Sequence, residues 1–139
     1  MQKINQIYIK SVVKKALDED LKPRGDITTN LISFKNKETT AKIIAKQSGV
    51  IAGLDFCKTA FKLVGKETIF ISKVKDGSKV KKNKVIAEIK AKAKTILIAE
   101  RTALNFLNHA SGIASLTNQF VQKVNKKTKI CCTRKTTPN

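Results

Sequence analysis

From Thr95 to Val124 one helical period governs the sequence. "TILIAERTALNFLNHASGIASLTNQFVQKV" sets Leu97, Leu104, Leu107, Ile113, Leu116, Phe120 and Val124 along a helix. Thr95 is its expected N-cap, and Gly112 is expected to bend it or to admit another backbone. The rest of the 139-residue chain supplies elements that can pack against it. That length gives room for one domain, or one domain and a piece of another, with a core of modest size.

The remaining periods supply the partners. "INQIYIKSVVKKALDED" places Ile4, Ile7, Val12 and Leu17 on one helical face that ends near Asp18. "LKPRGDITTN" is a loop, broken by Pro23 and Gly25. "TTAKIIAKQSGVIAG" reads as a strand, a turn at Ser48-Gly49 and a short strand ending at Gly53. "LDFCKTAFKLVG" is a helix carrying Phe56, Ala60, Phe61 and Val64, with Gly65 as its stop. "ETIFISKVKDG" is a strand rich in β-branched residues, around Ile69 and Ile71, followed by an Asp76-Gly77 turn. Val85, Ala87 and Ile89 share one face of a further strand. After the long helix, Ile130 to Cys132 read as a short buried strand, with Thr133 onward as the loop at its C-terminal end. The class is α+β. The last strand has no visible partner, so a second domain is expected to start near the end. The division is residues 1–106 and 107–139.

Charge narrows the function. The formal net charge is +19, but the basic residues are almost all lysine, with Arg24, Arg101 and Arg134 the exceptions. Readers of nucleic acid use arginine forks and aromatic stacking. Here aromatics are few and lysines are scattered, densest in "KVKKNK". A solvated lysine surface, or a field that attracts small anions, fits better than a specific nucleic-acid site. Cys57, Cys131 and Cys132 form neither a disulfide framework nor a zinc pattern and read as small apolar fillers. No apolar run nears the roughly 20 residues of a membrane span, and the N-terminus has no signal-peptide pattern. The expected location is the cytoplasm.

Two places concentrate candidate chemistry. Arg101, Asn105 and Asn108 share a helix face, either as a solvent-facing stripe or to hold a carboxylate or phosphate. Glu100 stands beside them on another azimuth. Thr133-Arg134-Lys135-Thr136 presents two cations and two hydroxyls, which suits an anionic ligand as well as an ordinary polar turn. Asp18, Glu19, Asp20 and Asp26 read as capping and turn residues rather than a metal site. His109, the one histidine, reads as a satisfied helix residue, and a site of several histidines is excluded. No phosphate loop, dinucleotide fingerprint or nucleophile elbow is present.

Together "ALDEDLKPRGDITTNLI", "SGVIAGLDFCKTAF", "VKDGSKVKKNKVIAEIKAKAKTILIAERTALNFLNHASGIASLT" and "TRKTTP" resemble the N-terminal half of quinolinate phosphoribosyltransferase, the carboxylating nicotinate-nucleotide pyrophosphorylase family. The resemblance runs from about Ala16 to Pro138. It implies an N-terminal α/β sandwich domain with a long helix, followed by the first strand of a truncated α/β barrel. It implies a glycosyltransferase reaction on the route to NAD, in which quinolinate and 5-phosphoribosyl 1-pyrophosphate give nicotinate mononucleotide, pyrophosphate and carbon dioxide. Magnesium accompanies the pyrophosphate, with its ligands outside this chain. The resemblance also implies a homodimer with shared active sites, or a complementing C-terminal half. Arg101 would then reach quinolinate in the partner subunit, while Thr133, Arg134 and Lys135 would hold it in their own.

The sequence departs from the family pattern where Cys132 stands in place of the usual aspartate and Asn139 in place of glycine. The barrel's later motifs are missing, so the expectation is a truncated or split chain, inactive alone. Two other readings stay open. One is a small basic protein that docks on nucleic acid or on a full-length subunit. The other is the phosphoribosyltransferase-like paralogue associated with molybdenum transport.

Overall fold

A computed structural model describes residues 4–21, 29, 37–124, 128–131 and 133. The elements run α1 (Gln6–Leu21), β1 (Glu38–Ile44), β2 (Gly49–Val50), α2 (Leu54–Val64), β3 (Ile69–Ser72), β4 (Lys79–Val80), β5 (Val85–Lys92) and α3 (Ala93–Lys123). The mixed helix and sheet architecture, with its long last helix, is the expected α+β class.

β5 is the centre of a three-stranded antiparallel sheet, with β1 on one side and β3 on the other. Its sequence explains why. "VIAEIKAK" turns Ala87, Ile89 and Ala91 into the core and leaves Lys90 and Lys92 exposed. Ala41 and Phe70 flank Ile89 in register, so one row crosses all three strands on the inner face. Ile43 pairs with Ala87 and Ile44 with Val85, which leaves Ile86 as an extra residue. That irregularity lets neighbours Ile86 and Ala87 both be buried. On the outer face, Glu88 accepts Lys73 at 2.9 Å and Glu38 accepts Lys90 at 3.1 Å. In β3, Ile69 and Ile71 lie on this outer, half-exposed face, while Phe70 turns inward to meet Phe61, ring centroids 6.1 Å apart.

The helices lie over the inner face. α2 buries Leu54, Cys57, Ala60 and Phe61 and stops at Gly65, as its period predicts. α1 packs on α2 and α3 rather than on the strands. It does so through Ile9, Val13 and Leu17, one row at four-residue spacing. Ile4 and Ile7 therefore do not belong to the buried face, and Ile7 is 79% exposed. The helix also runs three residues beyond Asp18, to Leu21.

α3 begins at Ala93, directly from the end of β5, with Lys92 at its N-cap and no side-chain cap. The expected Thr95 cap is thus overturned: with the strand leading straight into the helix, Thr95 already lies within the first turn. Gly112 likewise marks no close approach. α3 runs through it as one helix, and a Cβ there would meet nothing within 4 Å. The boundary expected at residue 106 falls inside this same helix.

The close approach is made by β2 and the residues after it. Val50 N–H donates to Ser115 Oγ at 2.8 Å and Ala52 N–H to Ser111 Oγ at 3.0 Å, both serines on α3. Between them Ile51 N–H donates to the Ser78 carbonyl at 3.0 Å. Gly53 and Leu54 N–H groups donate to the two carboxylate oxygens of Asp76, at 3.2 and 3.1 Å. Five successive amides are therefore satisfied, two by α3 and three by the 76–78 turn. Asp76 caps α2 from 22 residues away along the chain. Gly53 sits at φ 94°, and a Cβ there would stand 3.1 Å from Ala110 Cβ and 3.2 Å from the Phe106 carbonyl.

After α3, the expected strand is not formed among the described residues. Residues 128–131 have no regular structure, and Ile130 and Cys131 are exposed. A strand needs a neighbour to satisfy its backbone, and no described element offers one. Cys57 is the buried filler the sequence suggested, and Cys131 is not. Cys132 lies outside the described residues.

Candidate functional site

The first candidate cluster lies where α1 and α3 meet. Ala99, Thr102 and Ala103 turn α3 into the core, which leaves Glu100 and Arg101 on its exposed side. Arg101 Nη1 donates to Asp20 Oδ1 at 3.0 Å. The arginine side chain is 76% exposed and the aspartate 24%. The less exposed side chain of an exposed ion pair thus meets one edge of a guanidinium whose remainder faces solvent. Beside the pair lies a hollow of about 490 Å³, lined by Ala16, Glu19 and Asp20 of α1 and by Thr102, Asn105 and Phe106 of α3.

The polar stripe expected on α3 is present and exposed, but it serves two cavities. Asn105 faces the hollow beside Asp20. Asn108 and Glu100 instead line a groove of about 810 Å³ that runs between β1, β2 and α3. Its walls are mainly apolar, including Ile43, Ile89 and Leu104. His109 is exposed on α3.

The acidic run behaves differently from expectation. Asp18, Glu19 and Asp20 do not cap a helix or form a turn, because α1 continues through them to Leu21. They occupy its C-terminal end, where the orphan groups are carbonyls that a carboxylate cannot satisfy. Asp20 bonds Arg101 instead. Asp26 lies outside the described residues. The sequence held a signal for this: three consecutive acids at a helix C-terminus oppose the macrodipole and call for a cation.

Of the second cluster, Thr133 is exposed and outside any helix or strand. Arg134, Lys135 and Thr136 lie outside the described residues, as does Arg24. Among the described residues no group of three His, Cys, Asp or Glu side chains stands where it could hold a metal ion. The magnesium implied by the resemblance has no ligand set among them. Nor is any helix among them long and apolar enough to cross a membrane.

Comparison with known proteins finds the same α+β architecture with its long last helix. The family described as "Quinolinate phosphoribosyl transferase, N-terminal domain" matches residues 26–111, and the chain belongs to it. A probable carboxylating nicotinate-nucleotide pyrophosphorylase of Methanocaldococcus jannaschii is 42% identical over 135 residues, covering 94% of this chain and 46% of that protein. The Bacillus subtilis protein of the same description is 36% identical, covering 97% and 46%. Among solved structures, NadC of Streptococcus pyogenes superposes with a TM-score of 0.93 at 35% identity, covering all of this chain and 50% of that one. The chain spans about half the length of the curated relatives it matches.

Proposed function

We propose that the chain serves as the N-terminal half of a quinolinate phosphoribosyltransferase, the carboxylating nicotinate-nucleotide pyrophosphorylase of NAD biosynthesis. The observation that carries this reading is the family match over residues 26–111, which includes Arg101 and the first part of the long helix. In this reading Arg101 binds a carboxylate of quinolinate. Its exposed guanidinium supports that role, since a dianionic pyridine needs a fixed cation with free donors. Thr133, Arg134 and Lys135 complete the pyridine site, and 5-phosphoribosyl 1-pyrophosphate and magnesium are held by the half that follows in longer relatives. The division into a unit up to about residue 106 and a barrel start from 107 belongs to the same proposal.

A homodimer fits the surface. Ile113, Leu116, Phe120 and Val121 leave a half-exposed apolar stripe along the C-terminal part of α3. A cytoplasmic location is supported by the free thiols of Cys57 and Cys131.

The test is product formation from quinolinate and 5-phosphoribosyl 1-pyrophosphate with magnesium. The 139 residues are assayed alone and with a separately expressed barrel half. The expected result is no turnover alone and turnover on complementation. Turnover by the 139 residues alone, abolished by Arg134→Ala, would refute the assignment of the remaining groups to the other half. A complemented enzyme indifferent to quinolinate would refute the reading itself.

A further inference from the structure

We infer that Asp20 is a positioning residue for substrate binding, fixing the Arg101 guanidinium so that its remaining donors meet a carboxylate of the ligand. The inference rests on the proposal that Arg101 binds quinolinate.

The first ground is an asymmetry in the pair. The Asp20 side chain is 24% exposed and that of Arg101 76%, so the acid is the more sheltered side chain of an exposed pair. Here a single contact, Nη1 to Oδ1 at 3.0 Å, ties down one corner of the fork. A guanidinium carries five N–H donors in a rigid plane, so fixing one corner leaves the other edge free to form a bidentate pair.

The second ground is the placement of the acid. The chain has 10 acidic residues against 29 basic ones, yet Asp18, Glu19 and Asp20 stand together at the C-terminal end of α1, whose last turn has no basic residue. The macrodipole disfavours carboxylates there. For Asp20 the partner cation comes from outside its own helix, which points to a role outside it. The compensation comes from α3, and the residue used is one of three arginines where lysines are plentiful. A lysine would neutralise Asp20 equally well. It would not present a second, planar edge with a fixed orientation.

The third ground is the hollow beside the pair. Glu19, Asp20, Thr102 and Asn105 put polar groups on its wall, and Phe106 and Ala16 close it with apolar surface. Two carboxylates on that wall make the hollow itself unsuited to an anion, so the free edge of Arg101 is left to meet a ligand on its solvent side, away from α1. Without Asp20, the long arginine side chain would have to be ordered by the ligand, and that ordering would be charged to binding.

The experiment uses the active enzyme containing these residues, with Asp20→Asn, Asp20→Glu, Arg101→Ala and the double variant Asp20→Asn/Arg101→Ala. Asp20→Asn is expected to raise KM for quinolinate by about tenfold, less than Arg101→Ala does, with KM for 5-phosphoribosyl 1-pyrophosphate unchanged. Asp20→Glu should recover part of the loss, and the double variant should be no worse than Arg101→Ala alone. The melting temperature should move little, since an exposed ion pair contributes little to stability. A quinolinate KM unchanged by Asp20→Asn but raised by Arg101→Ala would overturn the inference and leave the functional reading standing. If Arg101→Ala itself left quinolinate KM unchanged, the reading beneath it would fall. A large drop in melting temperature for both Asp20 variants, with both substrates' KM values rising together, would make Asp20 a packing residue and overturn the inference as well.

Discussion

Replacing Gly53 by alanine tests the junction on which the fold depends, and Gly77→Ala is its natural control. Both glycines have positive φ, 94° and 86°. Forcing an L side chain into that region costs about 1–2 kcal/mol at either site. Alanine returns about 0.4–1 kcal/mol at either site by restricting the unfolded chain. These contributions nearly cancel between the two variants. What differs is space. A Cβ at Gly77 meets nothing within 4 Å, whereas one at Gly53 presses on Ala110 Cβ at 3.1 Å and the Phe106 carbonyl at 3.2 Å. Those atoms belong to α3, so relief requires moving a helix that packs on both α2 and β2. Overpacking of this kind costs about 1–3 kcal/mol. Gly53→Ala should therefore destabilise by about 3 kcal/mol and Gly77→Ala by about 1. Urea unfolding followed by circular dichroism resolves this, because a 2 kcal/mol difference moves the midpoint by about 1 M at an ordinary slope. Equal midpoints for the two variants would refute the claim that α3 closes on the segment before α2.

Four further outcomes follow from the same structure. Ser115→Ala leaves the part-buried Val50 N–H without its acceptor, and should cost about 1–3 kcal/mol and speed amide exchange at Val50. Asp76→Asn should destabilise about as much as Asp76→Ala, about 1–2 kcal/mol in denaturant unfolding, because both carboxylate oxygens accept amides and an asparagine amide would set N–H against N–H. Gly112→Ala, in an open helical position, should stabilise by about 1 kcal/mol in the same assay. Burial pushes the Cys57 thiol from 9.0 up to about 12. Its stabilising effect is thus present below pH 9 and lost as pH rises towards 12, and in the native protein a thiol reagent should modify exposed Cys131 before Cys57.

Much of the fold was legible because periodicity reports burial. α2 read correctly from Phe56 to Gly65, as did the inner face of β5 at Ala87 and Ile89. Misreadings arose where a residue's environment is set from elsewhere. α1 has enough apolar residues for two faces, and only its packing on α2 and α3 selects Ile9, Val13 and Leu17 over Ile4 and Ile7. Thr95 has the chemistry of a cap, but the strand ahead of it runs directly into the helix. Ile130 and Cys131 have strand propensity and no described strand to pair with. At the candidate site, Arg101 was visible because arginine is rare here. Its partner was not, because Asp20 and Arg101 are 81 residues apart and no local pattern links them.

In a chain of charge +19 the rare sign carries more structural information than the common one. Surface lysines are numerous enough to be interchangeable, whereas each carboxylate can be asked why it was kept. Asp76 joins the 76–78 turn to the start of α2. Glu38 and Glu88 each hold a lysine on the outer face of the sheet, and the Lys73 hydrogen bond keeps the Glu88 carboxyl below its usual range. Asp55 lies in the first turn of α2, where the macrodipole favours it. Asp20 joins α1 to α3 through Arg101. These acids lie at joints between elements or where a backbone dipole needs them. Among them Asp20 alone meets an arginine, and its carboxylate occupies a helix end that disfavours it. An ion pair that opposes its own helix and leaves most of its cation in water is poorly designed for stability alone, and well designed to hold a guanidinium ready for a second carboxylate.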